Sequence, residues 1–161
     1  MQPCIDGTGK FKLFSGQEGI VLETKQVMLS EIHDSELAVS AVRDIASAAG
    51  FGQVCEFMTA TAASELATNI LRYAGTGTLT VSRVRSTGTG LEGIELLACD
   101  EGPGISDIDK AMQEQYSSQM HSLGLGLSSV RNMMDDFFIE SVVGSGTRVL
   151  AYKWKEHCNS Q

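Results

Sequence analysis

Apolar and polar positions along the 161 residues change rhythm several times. From Ile20 to Ile32 (IVLETKQVMLSEI) β-branched residues and partial alternation predict a strand. The spacing then becomes helical: Leu37, Ala41, Ile45 and Ala48 fall on one face between Ser35 and Ala49. His33-Asp34-Ser35 offers an N-cap, and Gly50 a stop. A second helix is expected from Gln53 to Tyr73, closed by Gly75 and Gly77. Leu79–Val84 and Leu91–Asp100 read as two strands of a hairpin across a polar loop. A short helical piece around Ile108–Met112, a polar stretch, and a helix from Gly126 to about Asp135 follow. Phe137–Val143 and Thr147–Trp154 are two more strands, joined by Gly144-Ser145-Gly146.

Helices early and paired strands late predict an α+β fold, a two-layer α/β sandwich. Its sheet is expected to be mixed but mostly antiparallel, with helices on one face. Residues 1–19 are glycine-rich and weakly patterned and read as a flexible extension. Residues 20–155 form the domain, and 156–161 a tail.

Three polar clusters interrupt these patterns. In SELATNILRYAG, Glu65 and Asn69 are four residues apart, which stacks them on one face of an otherwise small and apolar helix. Packed there, they need partners. A magnesium ion and a phosphate chain would supply them, since magnesium takes oxygen ligands and uses few protein groups; a solvated helix face is the alternative. In ACDEGPGI the apolar strand ends on Asp100, followed by Gly102 and Gly104 around a proline. An acid there can accept a hydrogen bond from an exocyclic amine, and the glycines let backbone approach a flat base; a plain turn is the alternative. In HSLGLGLSSVRNM, Gly124, Leu125, Gly126, Leu127 and Ser128 lead into a helix whose N–H groups suit an anion, or simply cap it. A Walker A loop is excluded because no Lys-Ser/Thr follows the glycines, and a Rossmann fingerprint because the spacing is absent.

Charge and composition narrow the classes. A formal charge of −8 with no Lys/Arg run argues against a nucleic-acid surface. No apolar run reaches the ~18–20 residues that span a bilayer, and no signal peptide is seen. Cys4, Cys55, Cys99 and Cys158 are widely spaced without a C-x-x-C pair, so they read as reduced thiols of a cytoplasmic protein. His33, His121 and His157 have no partners at metal-ligand spacing.

The three clusters in this order resemble the GHKL ATPase superfamily, which includes histidine kinases, gyrase, mismatch-repair and heat-shock ATPases. Glu65–Asn69 resembles its N-box, Asp100–Gly104 its G1 box, Gly124–Leu127 its G2 box, and Gly146-Thr147 its final box. From about Val27 to Trp154 the chain is most similar to the small anti-sigma-factor serine kinases, particularly their stressosome switch branch. The resemblance implies an ATP- and magnesium-dependent serine/threonine protein kinase of a partner-switching stress pathway. Glu65 would be the general base and Asn69 the magnesium ligand. Asp100 and Thr147 would bind adenine, Gly102 and Gly104 shape its pocket, and Gly124–Ser128 hold phosphates. Ser106–Leu123 would be the ATP lid, with Lys110 and Arg131 as candidate cations for the transferring group. Implied partners are STAS-domain substrates or scaffolds, and a PP2C-type phosphatase or a sigma factor. The alternative is a nucleotide-dependent module or anti-sigma factor that acts by sequestration. A histidine kinase fits poorly, because too few residues separate His33 from Glu65 for a dimerising hairpin.

Overall fold

The computed structural model describes residues 10–12, 18–113 and 126–158. Six strands form one sheet in the order β1-β2-β3-β4-β6-β5. They are β1 (Lys10–Lys12), β2 (Glu18–Leu29), β3 (Gly77–Ser86), β4 (Glu92–Asp100), β5 (Asp136–Val142) and β6 (Gly146–Trp154). Every pairing is antiparallel, so the parallel component of a mixed sheet is not found among the described strands. The helices are α1 (Asp34–Ala48), α2 (Gln53–Tyr73), α3 (Ile108–Gln113) and α4 (Leu127–Met133). A 3₁₀ turn, Lys155–Cys158, closes the described chain.

Period two on the strands and period 3.6 on the helices meet in one core. Leu79 and Val81 of β3, Ile94 and Leu96 of β4, and Val149 and Ala151 of β6 are buried under Val42 and Ile45 of α1 and Leu66 and Ile70 of α2. Ala60, Ala62, Ala63 and Ala67 give α2 a small-residue face, which lets it lie close against its neighbours. Truncating a fully buried side chain such as Leu66 to Ala would cost about 2–5 kcal/mol. Val84 and Tyr152 form a second, smaller cluster, flanked by Val21, Phe138, Leu150 and Trp154. There the Tyr152 hydroxyl donates to Glu95 Oε2 at 2.8 Å.

Several local expectations shift. β3 continues to Ser86 through residues expected in a polar loop. Arg83 and Arg85 are held there by Glu92 of the partner strand, at 2.8 and 2.6 Å. β2 ends at Leu29, and Asp34 is the first residue of α1 rather than a flanking cap. Its Oδ2 turns back to accept the N–H groups of Ser30 and Glu31, both at 2.8 Å. Those two bonds hold its carboxyl below the usual range. Lys10–Lys12 pair with β2, inside the stretch expected to be an extension.

The expectation of four reduced cysteines is overturned for two of them: Cys55 of α2 and Cys158 of the 3₁₀ turn are joined by a disulfide. Burial of Cys55 against the returning C-terminal turn brings the sulfurs together across 103 residues, a pairing invisible in spacing alone. Cys99 is the free thiol among the described residues.

Candidate active site

The sheet and α2 enclose a cleft of about 410 Å³. Glu65 and Asn69 of α2, Asp100 at the end of β4, Gly104, Gly126 and Leu127, and Thr147 at the start of β6 all line it. Residues up to 82 positions apart meet because the ladder sets Asp100 opposite Gly77 on one side and Thr147 on the other. Glu65 and Asn69 arrive together because four residues make one helical turn.

Asp100 is oriented by backbone. Its Oδ1 accepts the N–H of Gly102 at 2.9 Å and that of Thr147 at 3.3 Å. Both of these bonds fall on Oδ1, and Asp100 lines the cleft. Gly104 and Gly146 make this possible, with φ of +73° and +122°. A Cβ at Gly104 would strike the Val142 carbonyl, and one at Gly146 the Asp100 carbonyl. The β5–β6 hairpin therefore packs directly on the loop after β4, and Gly144 N–H donates to Pro103 O at 2.8 Å.

Glu65 is half-buried. Desolvation raises its pKa, while the Arg72 charge and the Gly126 N–H pull it back. A carboxylate with raised proton affinity, beside a cleft, suits general-base chemistry.

Two of the expected residues stand behind the wall rather than on it. Gly102 packs on α2's end, where a Cβ would lie 2.6 Å from Ala74 Cβ, and Ser128 is buried in the first turn of α4. Gly124 and Leu125 fall outside the described residues, as do 114–123 of the expected lid. Of the two candidate cations, Lys110 lines the cleft, whereas Arg131 is exposed on α4. Arg72 also lines the cleft and was not singled out from sequence. Its position three residues after Asn69 and seven after Glu65 carries the signal, since that spacing returns to the same helical face. Ser141 was missed as well; its hydroxyl lies 2.8 Å from Thr147 Oγ1. Among the described residues no cluster of three or more His, Cys, Asp or Glu side chains is placed to hold a metal, and no helix is long and apolar enough to cross a membrane.

An antiparallel sheet covered by two helices, with its cleft between α2 and the ends of β4 and β6, defines an ATPase domain of the GHKL type. Residues 30–153 match the family model of the histidine kinase-like ATPase domain. The chain is 43% identical over 112 residues to the serine/threonine-protein kinase RsbT of Bacillus subtilis (strain 168), covering 70% of this chain and 82% of that protein. It is 31% identical over 96 residues to an anti-sigma F factor of Thermoanaerobacter sp. (strain X514), covering 58% and 66%. A solved chain in the SiaB–SiaC complex from Pseudomonas aeruginosa is similar at a TM-score of 0.48 and 14% identity, over 83% of this chain and 90% of that one. The chain belongs to the histidine kinase-like ATPase domain family, and within it to the RsbT-like serine/threonine-protein kinases.

Proposed function

We propose that this chain transfers the γ-phosphoryl group of ATP to a serine or threonine hydroxyl of a STAS-domain protein, in a partner-switching pathway. The observation that carries the reading is the convergence of Glu65, Asn69, Asp100 and Thr147 on one cleft.

Adenine sits at the floor, its amine donating to Asp100, with Thr147 beside it. Gly126 and Leu127 line the cleft at the start of α4 and are the described residues of the glycine-rich stretch nearest the phosphates in this reading. Asn69 offers a carboxamide oxygen, a donor that magnesium accepts, on the same wall as the phosphate-facing residues. Magnesium bound there would neutralise charge on the β- and γ-phosphates. Arg72 and Lys110 add positive charge to the wall. Glu65 takes the proton of the substrate hydroxyl as its oxygen attacks the γ-phosphorus. The bond to the β–γ bridging oxygen breaks, and ADP leaves with that electron pair. Positioning and charge stabilisation account for most of the catalysis in this chemistry. Release of the phosphorylated partner frees the kinase for an output protein, a PP2C-type phosphatase in this reading.

A second reading, sequestration of a sigma factor, is favoured by the similarity to anti-sigma F factors. Incubation with γ-labelled ATP, magnesium and candidate STAS-domain proteins separates the two. Acid-stable label on a serine or threonine is expected. Acid-labile label on histidine, or a tight complex without label, contradicts the kinase assignment.

A further inference from the structure

α2 and β6 run between the same two ends of the molecule. At one end, Glu65 and Asn69 of α2 line the cleft together with Thr147 and Val149 of β6. At the other, Cys55 in the first turn of α2 is bonded to Cys158 in the 3₁₀ turn that follows β6. α2 covers about 15 Å between Cys55 and Glu65, at ~1.5 Å per residue. The disulfide therefore ties the far ends of two elements whose near ends form the site. The other ties at the far end are non-covalent. Lys155 Nζ donates to the Ala49 carbonyl at 2.7 Å and stands 5.8 Å from the centroid of the Phe51 ring. His157 Nδ1 lies 3.2 Å from Asp135 Oδ2, but its side chain is exposed, so this pair contributes little.

Access to the two sulfurs differs. Cys55 is 2% exposed, whereas Cys158 is half-buried. A dithiol reductant therefore attacks Cys158 Sγ, and Cys55 leaves as a thiolate. The second thiol of the reductant then closes on the mixed disulfide and releases Cys158. The reductant departs as a disulfide, its two protons now on Cys55 and Cys158. We infer that the Cys55–Cys158 bond is a redox-sensitive clamp on the nucleotide cleft. Closed, it holds α2 and β6 in the arrangement that binds the ligand. Opened, it leaves them freer to move, and binding then carries the cost of ordering them again. Linkage makes the effect reciprocal: nucleotide in the cleft opposes reduction by the same factor by which reduction weakens nucleotide binding. The inference rests on reading the cleft as the ATP site.

The test is calorimetric binding of Mg-ADP to the full chain, oxidised and after reduction by dithiothreitol, at a temperature where both forms are folded. Thiol titration before and after reduction counts the cysteines released. Reduction is expected to lower ADP affinity at least about fivefold, the lower end of coupling between separate sites. C158S should bind as the reduced chain does and not respond to reductant, which excludes Cys4 and Cys99 as the cause. Saturating Mg-ADP should shift the equilibrium with a dithiol–disulfide redox buffer toward the bond by the same factor. The reduced wild-type chain keeps the test decisive if C158S folds poorly. Equal or tighter ADP binding by the reduced chain overturns the inference and leaves the ATP site standing. So does a reductant effect that persists in C158S, or an oxidised chain from which reduction releases no thiols. Failure of both forms to bind Mg-ADP overturns the reading of the site itself.

Discussion

Asp100 and Thr147 face each other across the β4–β6 ladder, and the Thr147 N–H reaches Asp100 Oδ1 at 3.3 Å. The Gly102 N–H reaches the same oxygen at 2.9 Å. One carboxylate oxygen is thereby committed to the protein and the other is offered to the cleft. On the proposed ATP reading, the preference for a base with an amine at this position would follow from that division.

Asp100→Asn tests it. The two N–H groups will hold the amide oxygen, leaving the NH₂ to face the ligand. An acceptor becomes a donor without a change of shape. ADP affinity is expected to fall about ten- to a hundredfold, from a mismatched buried polar pair worth ~1–3 kcal/mol. GDP affinity should fall less or rise. Titration calorimetry with both nucleotides checks this, and parallel losses for the two bases would contradict it.

Glu65 makes a stability prediction independent of catalysis. Burial raises its folded-state pKa above the unfolded value. Between those two values the folded chain binds more protons than the unfolded one, so stability falls as pH rises through the window just above the ordinary glutamate range. Above the folded pKa the whole desolvation cost is present. Glu65→Gln should remove this slope and raise the melting temperature at neutral pH. Thermal melts from pH 4 to 8 would show it; a Gln variant that melts lower at pH 7 would mean that the charge stabilises the fold.

The Cys55–Cys158 bond closes a loop of 103 residues. Chain entropy assigns about 4.7 kcal/mol to a loop near 100 residues, with strain and residual structure reducing it. Reduction by dithiothreitol should therefore lower the unfolding free energy by about 2–4 kcal/mol. Cys158→Ser should match the reduced protein and no longer respond to reductant. Identical denaturation midpoints with and without reductant would show that the bond contributes nothing.

The sequence carried the parts of the fold that depend on neighbouring residues. α2 was legible to both ends because small residues recur at helical spacing and glycine follows. β4 was legible because its apolar run ends in an acid and a glycine–proline turn. What depends on distant residues was hidden. Arg85 and Ser86 look like loop, and β3 runs on through them where Glu92 lies across the hairpin to pair with Arg85. Lys10–Lys12 is too short to show a periodicity of its own, and its strand pairs with β2. Ser141 has no local signal, since one of its partners is 36 residues away. Arg72 is a different case: its helical spacing from Glu65 and Asn69 was readable.

In the proposed kinase reading, Glu65 acts in transfer and not in holding nucleotide. The most direct measurement compares Glu65→Gln with the wild-type chain in two assays, Mg-ADP binding and label transfer from γ-labelled ATP to the proposed STAS-domain substrate. Binding should be nearly unchanged, while transfer falls by about 10²–10⁴, the usual contribution of a positioned base. Transfer at the wild-type rate in the Gln variant would contradict the account.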